Sequence, residues 1–259
     1  MLSLKELRQW LENLLQLTDQ MTQGSPYWEE DHLAFMTFCF FNKQIDHARS
    51  ILRLMPSRDS MLIARSMIEG LAQLLWAAKE PDVLPLKWRT YAWVHDWRRM
   101  KEKVAAGEVI DKNQRAQIEE AIRKYGEQYF TREARRARSE RAPIPDDPYH
   151  SSWTSGQQIR QICEKVGGEA LYKKVYVPFS DWHHWGAGGL GQAIARRGNH
   201  VTYSSLSEQD SASALTTAFQ CLLQTAEVAD SQFRMGLGAK LAELKDGYIA
   251  AHLAAQKKT

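Results

Sequence analysis

The stretch MLIARSMIEGLAQLLWAA, residues 61–78, decides the fold. Its apolar side chains run almost all the way round a helical wheel, the pattern of a helix shielded by other helices. Pro56 stands ahead of it, Ser57 or Asp59 is placed to cap its start, and Pro81 lies beyond its end. Two charges, Arg65 and Glu69, interrupt the apolar run and argue against a membrane span. Four apart on a helix, they share one face. Charges flanked by Met, Ile and Leu need partners. Either they form an ion pair tying helices together, or they are the polar centre of a pocket.

Outward from this segment the chain reads as helix nearly throughout. The expected fold is all-α: a single domain over residues 1–259, with about eight or nine helices around the 61–78 helix. Leu4, Leu7, Trp10, Leu11, Leu14 and Leu15 recur at the helical period and predict a helix over 3–22, ended by Gly24-Ser25-Pro26. Phe35, Phe38, Phe41, Ile45, Ala48 and Leu52 stripe a second helix from Trp28 to Leu54. Pro85 opens a fourth helix reaching Ala106. A peripheral, highly charged helix is expected over 111–141, with a thin stripe of Ile118, Ile122, Tyr125 and Tyr129. APIPDDP, residues 142–148, reads as a loop.

Beyond the loop, Thr154 or Ser155 caps a short helix that Gly167-Gly168 closes, and 169–185 forms another, kinked at Pro178. GAGGLG, residues 186–191, lacks the Lys-Ser/Thr of a phosphate-binding loop and fails the GxGxxG pattern. It is read as helix termination, and no cofactor is expected. HVTYS, residues 200–204, fits a short strand or extended loop. Ser207 with Asp210 caps the next helix, which runs to Met235, and a last helix reaches Ala255.

The bulk numbers exclude some function classes. Net charge is +3. The run from Arg132 to Arg141 alone carries +3, with five arginines against two glutamates, so the remainder is near neutral. That argues against a surface coated for nucleic acid, although the run itself is a candidate for RNA or an acidic partner. A solvated helix face is its structural reading. Cys39, Cys163 and Cys221 are far apart and fit buried thiols in a reducing cytoplasm. The N-terminus does not read as a signal peptide.

The chemistry-bearing residues concentrate in 149–191. Tyr172, Tyr176, Ser180 and His184 step by four, so one helix face offers phenols, a hydroxyl and an imidazole, with Asp181 alongside. Histidine moves protons near neutral pH. A hydrogen-bonded aromatic core is the structural alternative. His183 and His184 point about 100° apart on a helix, so no metal site is expected. Arg89 and His95 match the R-x5-H spacing of HEPN-class helical ribonucleases, where Arg binds phosphate and His assists attack by the 2′-hydroxyl. The spacing recurs by chance in a chain rich in Arg and His.

The order Ala64-Arg65-Ser66-x-x-Glu69, then Trp153-x-x-Gly156-x-x-Ile159-Arg160, then Tyr172-x3-Tyr176-x3-Ser180-x3-His184, resembles a bacterial helical family known as domain of unknown function 5677. The resemblance implies a fold, a candidate pocket and no particular reaction. By it, the family's recurrent polar positions fall on Arg65, Glu69, Ser180 and His184. The chain departs in doubling the histidine with His183 and in adding Trp182 and Trp185, which leaves two imidazoles for one position.

These readings converge on a cytoplasmic binding or regulatory module of a bacterial phage-defence or stress system. Arg65, Glu69, Ser180 and His183 or His184 would form its polar pocket. Tyr91, Trp153, Tyr172 and Tyr176 would contribute binding surface to a small molecule or protein segment. The alternative is a metal-independent HEPN-like ribonuclease or toxin, with Arg65 or Arg89 on phosphate and His184 or His95 moving protons. A homodimer, or a purely structural oligomerising bundle, is the third expectation.

Overall fold

In the computed structural model, which describes residues 2–22, 31–197 and 200–257, helix α1 (Leu4–Thr22) starts on a capping box. The Ser3 hydroxyl accepts from the Glu6 amide, and Glu6 accepts in return from the Ser3 amide at 2.8 Å. Its buried face is Leu7, Leu11, Leu14, Leu15 and Met21. Helix α2 (His32–Leu54) is capped by Asp31, which accepts from the Ala34 amide at 2.8 Å. The start expected at Trp28 and the turn at Gly24-Ser25-Pro26 lie outside the described residues.

Helix α3 (Ser60–Ala77) is the apolar segment of the sequence, and every residue in it is buried or half-buried. The protein is all-α, and the described residues add one two-stranded hairpin. The expected single domain groups into two compact units: Met1–Trp76 with Ile162–Thr259, and Ala77–Gln161.

In the second unit, α4 (Leu84–Thr90) and α5 (Ala92–Ala105) replace the single helix expected there. The step falls at Tyr91, where Val94 bonds the Tyr91 carbonyl with tight three-residue spacing. The charged helix expected over 111–141 is also divided. Helix α6 (Lys112–Tyr125), a 3₁₀ turn (Gly126–Tyr129) and α7 (Arg132–Ser139) stand in its place. The break has two causes. Tyr129 is drawn into the core, where its hydroxyl meets the Lys87 carbonyl and the Thr90 hydroxyl, each at 2.6 Å. Thr131 then starts a new helix by accepting from the Ala134 amide.

Helix α8 (Ile159–Lys165) buries Ile162 and Cys163. The expected 169–185 helix is present in three pieces: α9 (Glu169–Leu171), a π turn (Tyr172–Tyr176) and α10 (Val177–His183). Pro178 has no N–H to give, and the Val177 amide reaches back five residues to the Tyr172 carbonyl. The glycine run, expected as a helix break, forms a short helix α11 (Ala187–Gly191). Its glycines let two backbones touch: a Cβ on Gly189 would lie 2.7 Å from the Trp182 amide nitrogen.

Strands β1 (Ile194–Arg197) and β2 (His200–Tyr203) pair antiparallel, Ile194 opposite Tyr203. The strand expected at His200 thus finds a partner in a segment whose sequence gave no strand signal. Helix α12 (Glu208–Phe233) is capped by Ser207 on the Asp210 amide at 3.2 Å. It packs on α1 and α2. Ala214, Ala218, Cys221, Ala226 and Ala229 make that close approach possible. Helix α13 (Gly238–Gln256) closes the chain against α12.

Candidate functional site

Arg65 and Glu69, one turn apart on α3, pair at 3.1 Å. Two side chains from the π turn and α10 complete the group. Arg65 Nε donates to Ser180 Oγ at 2.9 Å, and a terminal guanidinium nitrogen donates to the Tyr176 hydroxyl at 2.8 Å. That hydroxyl donates to Glu69 Oε1 at 2.6 Å. The guanidinium also stands 4.8 Å from the Tyr176 ring centroid, within cation–π range. Tyr172 stacks behind Tyr176 at 5.1 Å. Burial, then the hydrogen bond to Glu69, pushes the Tyr176 phenol up to about 12, so it stays a neutral donor.

The imidazoles take another position. His183 and His184 are exposed and stack edge-on with each other at 4.6 Å, and neither hydrogen-bonds Arg65 or Glu69. The expectation that a histidine would join these charges is therefore corrected: of the groups expected there, the Tyr176 phenol and the Ser180 hydroxyl reach them and neither imidazole bonds to them. Helix α10 ends at His183, and His184 is its C-cap, its amide still bonded to the Ser180 carbonyl at 2.9 Å while its ring lies exposed. Trp185 follows with φ 58° and is 80% exposed. Among the described residues no group of three or more His, Cys, Asp or Glu is placed to hold a metal ion.

Beside the quartet lies a cavity of about 390 Å³. Ile68, Leu71 and Leu75 of α3 form one wall, and Leu171 and Val175, flanking or within the π turn, form the facing one. Cys163 contributes its thiol, which burial and the nearby Glu69 and Glu164 carboxylates push up to about 11, so it is an inert wall group. Polar groups are few: Lys174, which is exposed, and Gln220 and Gln224 of α12. Arg65, Glu69 and Ser180 do not line it. They hold its π-turn wall onto α3.

Sequence spacing missed a second polar knot in this unit. Buried Arg58 pairs with Asp210 and donates to the Gln192 carbonyl at 2.9 Å, while the Trp182 indole donates to Asp59 at 3.2 Å. Arg58 and Asp210 are 152 residues apart, and only the cap at Ser207 hinted at Asp210.

Tyr91 and Trp153 belong to the second unit and are both buried. The Tyr91 hydroxyl donates to the His150 carbonyl at 2.6 Å. Arg98 ties the same loop by bonds to Asp147, to the Tyr149 and His150 carbonyls, and to Tyr91. Arg89 lies on α4 and the exposed His95 on α5, its ring 4.8 Å from that of Tyr91. On α7 and just after it the arginines are exposed, but Arg136 pairs with Glu140 at 2.8 Å and Arg138 with Glu127 at 2.6 Å.

No helix among the described residues is long and apolar enough to cross a membrane. No curated protein and no solved structure matches this chain. A family model does match, over residues 34–200, well over half of the chain and including α3, the π turn and α10. The chain belongs to the family of unknown function DUF5677.

Proposed function

We propose that the protein is a helical ligand-binding, regulatory module whose binding site is the cavity between α3 and the π turn. The observation that carries this is the wall itself: a π turn clamped by the Arg65–Glu69–Tyr176–Ser180 quartet, with about 390 Å³ of mainly apolar space beside it. That volume falls in the range of small-molecule sites, roughly 300–1,000 Å³. π turns within helices recur at functional positions. The walls fit a small, largely apolar molecule, and Lys174 with Gln220 and Gln224 supplies groups for an acidic or acceptor end.

Thermal melting against a metabolite and nucleotide library tests the proposal. A compound at a hundredfold excess over its dissociation constant stabilises by about 2.7 kcal/mol, roughly 5–10 °C for a chain of this size. We expect at least one such shift in the wild type and its loss in Leu75→Phe, which takes cavity volume with an apolar side chain. A library that leaves the wild-type melting temperature unmoved would refute the site.

The ribonuclease reading has weaker support. The Arg65 donors are engaged by Ser180, Tyr176 and Glu69, and the chain steps at Tyr91 between Arg89 and His95. It requires chelator-insensitive RNA cleavage that His184→Ala or His95→Ala abolishes. A bacterial cytoplasmic setting, in phage defence or stress, belongs to the proposal. The buried thiols Cys163 and Cys221 support a reducing compartment. Plaque counts on cells with and without the gene test the defence role.

A further inference from the structure

A second hollow lies between α12 and α13, and its reading does not rest on the first proposal. Phe219 and Leu223 of α12 and Ile249 and Leu253 of α13 enclose a groove of about 550 Å³. Ile249 and Leu253 are half-exposed, 48% and 55%. The Phe219 and Tyr248 rings stack at 4.0 Å, and the His252 ring stands edge-on to Tyr248 at 4.5 Å. Both Tyr248 and His252 line the groove.

Two polar atoms there are unsatisfied. Tyr248 is 5% exposed, and its hydroxyl has no hydrogen-bond partner among the described residues; neither has His252 Nε2. The Thr216 hydroxyl is near enough to act on the Tyr248 phenol, but it does not meet hydrogen-bond geometry. Leaving such groups buried and unpaired is costly, so each one asks for an explanation. They belong to side chains one turn apart on α13, whose ring centroids stand 4.5 Å from each other. Among the described residues that line the groove, Lys245 is the one lysine or arginine, and it is paired with Glu227 at 3.1 Å.

We propose that this groove binds a neutral, flat, mainly apolar molecule carrying one hydroxyl or carbonyl. Its body lies between Leu223, Ile249 and Leu253, beside the Phe219–Tyr248 stack. Its oxygen parts the half-exposed side chains and joins the Tyr248 hydroxyl to His252 Nε2. No covalent step is involved.

The test compares 2-naphthol with naphthalene, which differ in that one oxygen, by calorimetric titration of the full chain. 2-Naphthol should bind about tenfold more tightly. Tyr248→Phe, which keeps the ring and its packing, should reduce that preference to twofold or less. The same variant should melt no lower than wild type, because an unpaired buried hydroxyl has gone. Equal affinity for the two probes, no binding of either, or a preference retained in Tyr248→Phe would overturn the proposal. So would a Tyr248→Phe chain that melts lower, since the hydroxyl would then have a partner already.

Discussion

Glu69 shows what one carboxylate does when half its surroundings are oily. Its Oε1 takes both the Arg65 guanidinium and the Tyr176 hydroxyl. Glu69→Gln keeps the shape but loses the charge, and should cost about 2 kcal/mol, the scale of hydrogen bonds to a charged group. Urea unfolding reads this directly. Replacing both charges, Arg65→Met with Glu69→Met, should cost less than the sum of the single changes, since neither partner is then stranded. Simple additivity would mean the pair is not coupled. Much of this was legible in the sequence. Arg65 and Glu69 were four apart, and Tyr176 and Ser180 were four apart on a second segment. Ser180 meets Arg65 as its place in the expected pocket implied; that both imidazoles stay exposed was not legible, because side-chain direction depends on packing rather than on spacing.

Among the elements, α10 and α11 are the most dependent on each other. Gly189 sits where any Cβ would strike the Asp181–Trp182 backbone, at 2.7 to 2.8 Å. Gly191, two residues on, has nothing within 4 Å. Gly189→Ala should therefore destabilise by about 1–3 kcal/mol, as overpacking against rigid atoms does. Gly191→Ala should be neutral, or stabilise by up to about 1 kcal/mol through the helix preference of alanine. Equal effects in thermal unfolding would contradict the close approach of α11 to α10. The glycines looked like a terminator because local propensity disfavours a helix there. What makes the helix is contact with α10 seven residues back, which helix propensity and glycine content do not register. By contrast the α1 stripe and the Ser207 cap were readable, since their causes lie within four residues.

For the molecule as a whole, half-buried imidazoles contribute to the loss of stability in acid. His47 is lowered by burial and then by Lys43, against a smaller opposing pull from Asp46, and His252 is lowered chiefly by burial. Their folded pKa values lie below the unfolded ones, so the unfolded chain binds more protons as pH drops. The stabilisation they give is complete above about pH 6.5 and is lost as pH falls through the lowered values. The urea midpoint should drop between pH 7 and pH 5, and His47→Gln should flatten part of that drop. A midpoint constant over this range would contradict the assignment.

Gln220 and Gln224 line both the cavity beside the π turn and the groove beside α13. The two compartments stand back to back on one strip of α12 and share a party wall. An occupant on one side that turns either amide redraws the other room. Thermodynamics makes such traffic mutual: whatever factor the first guest imposes on the second, the second returns to the first.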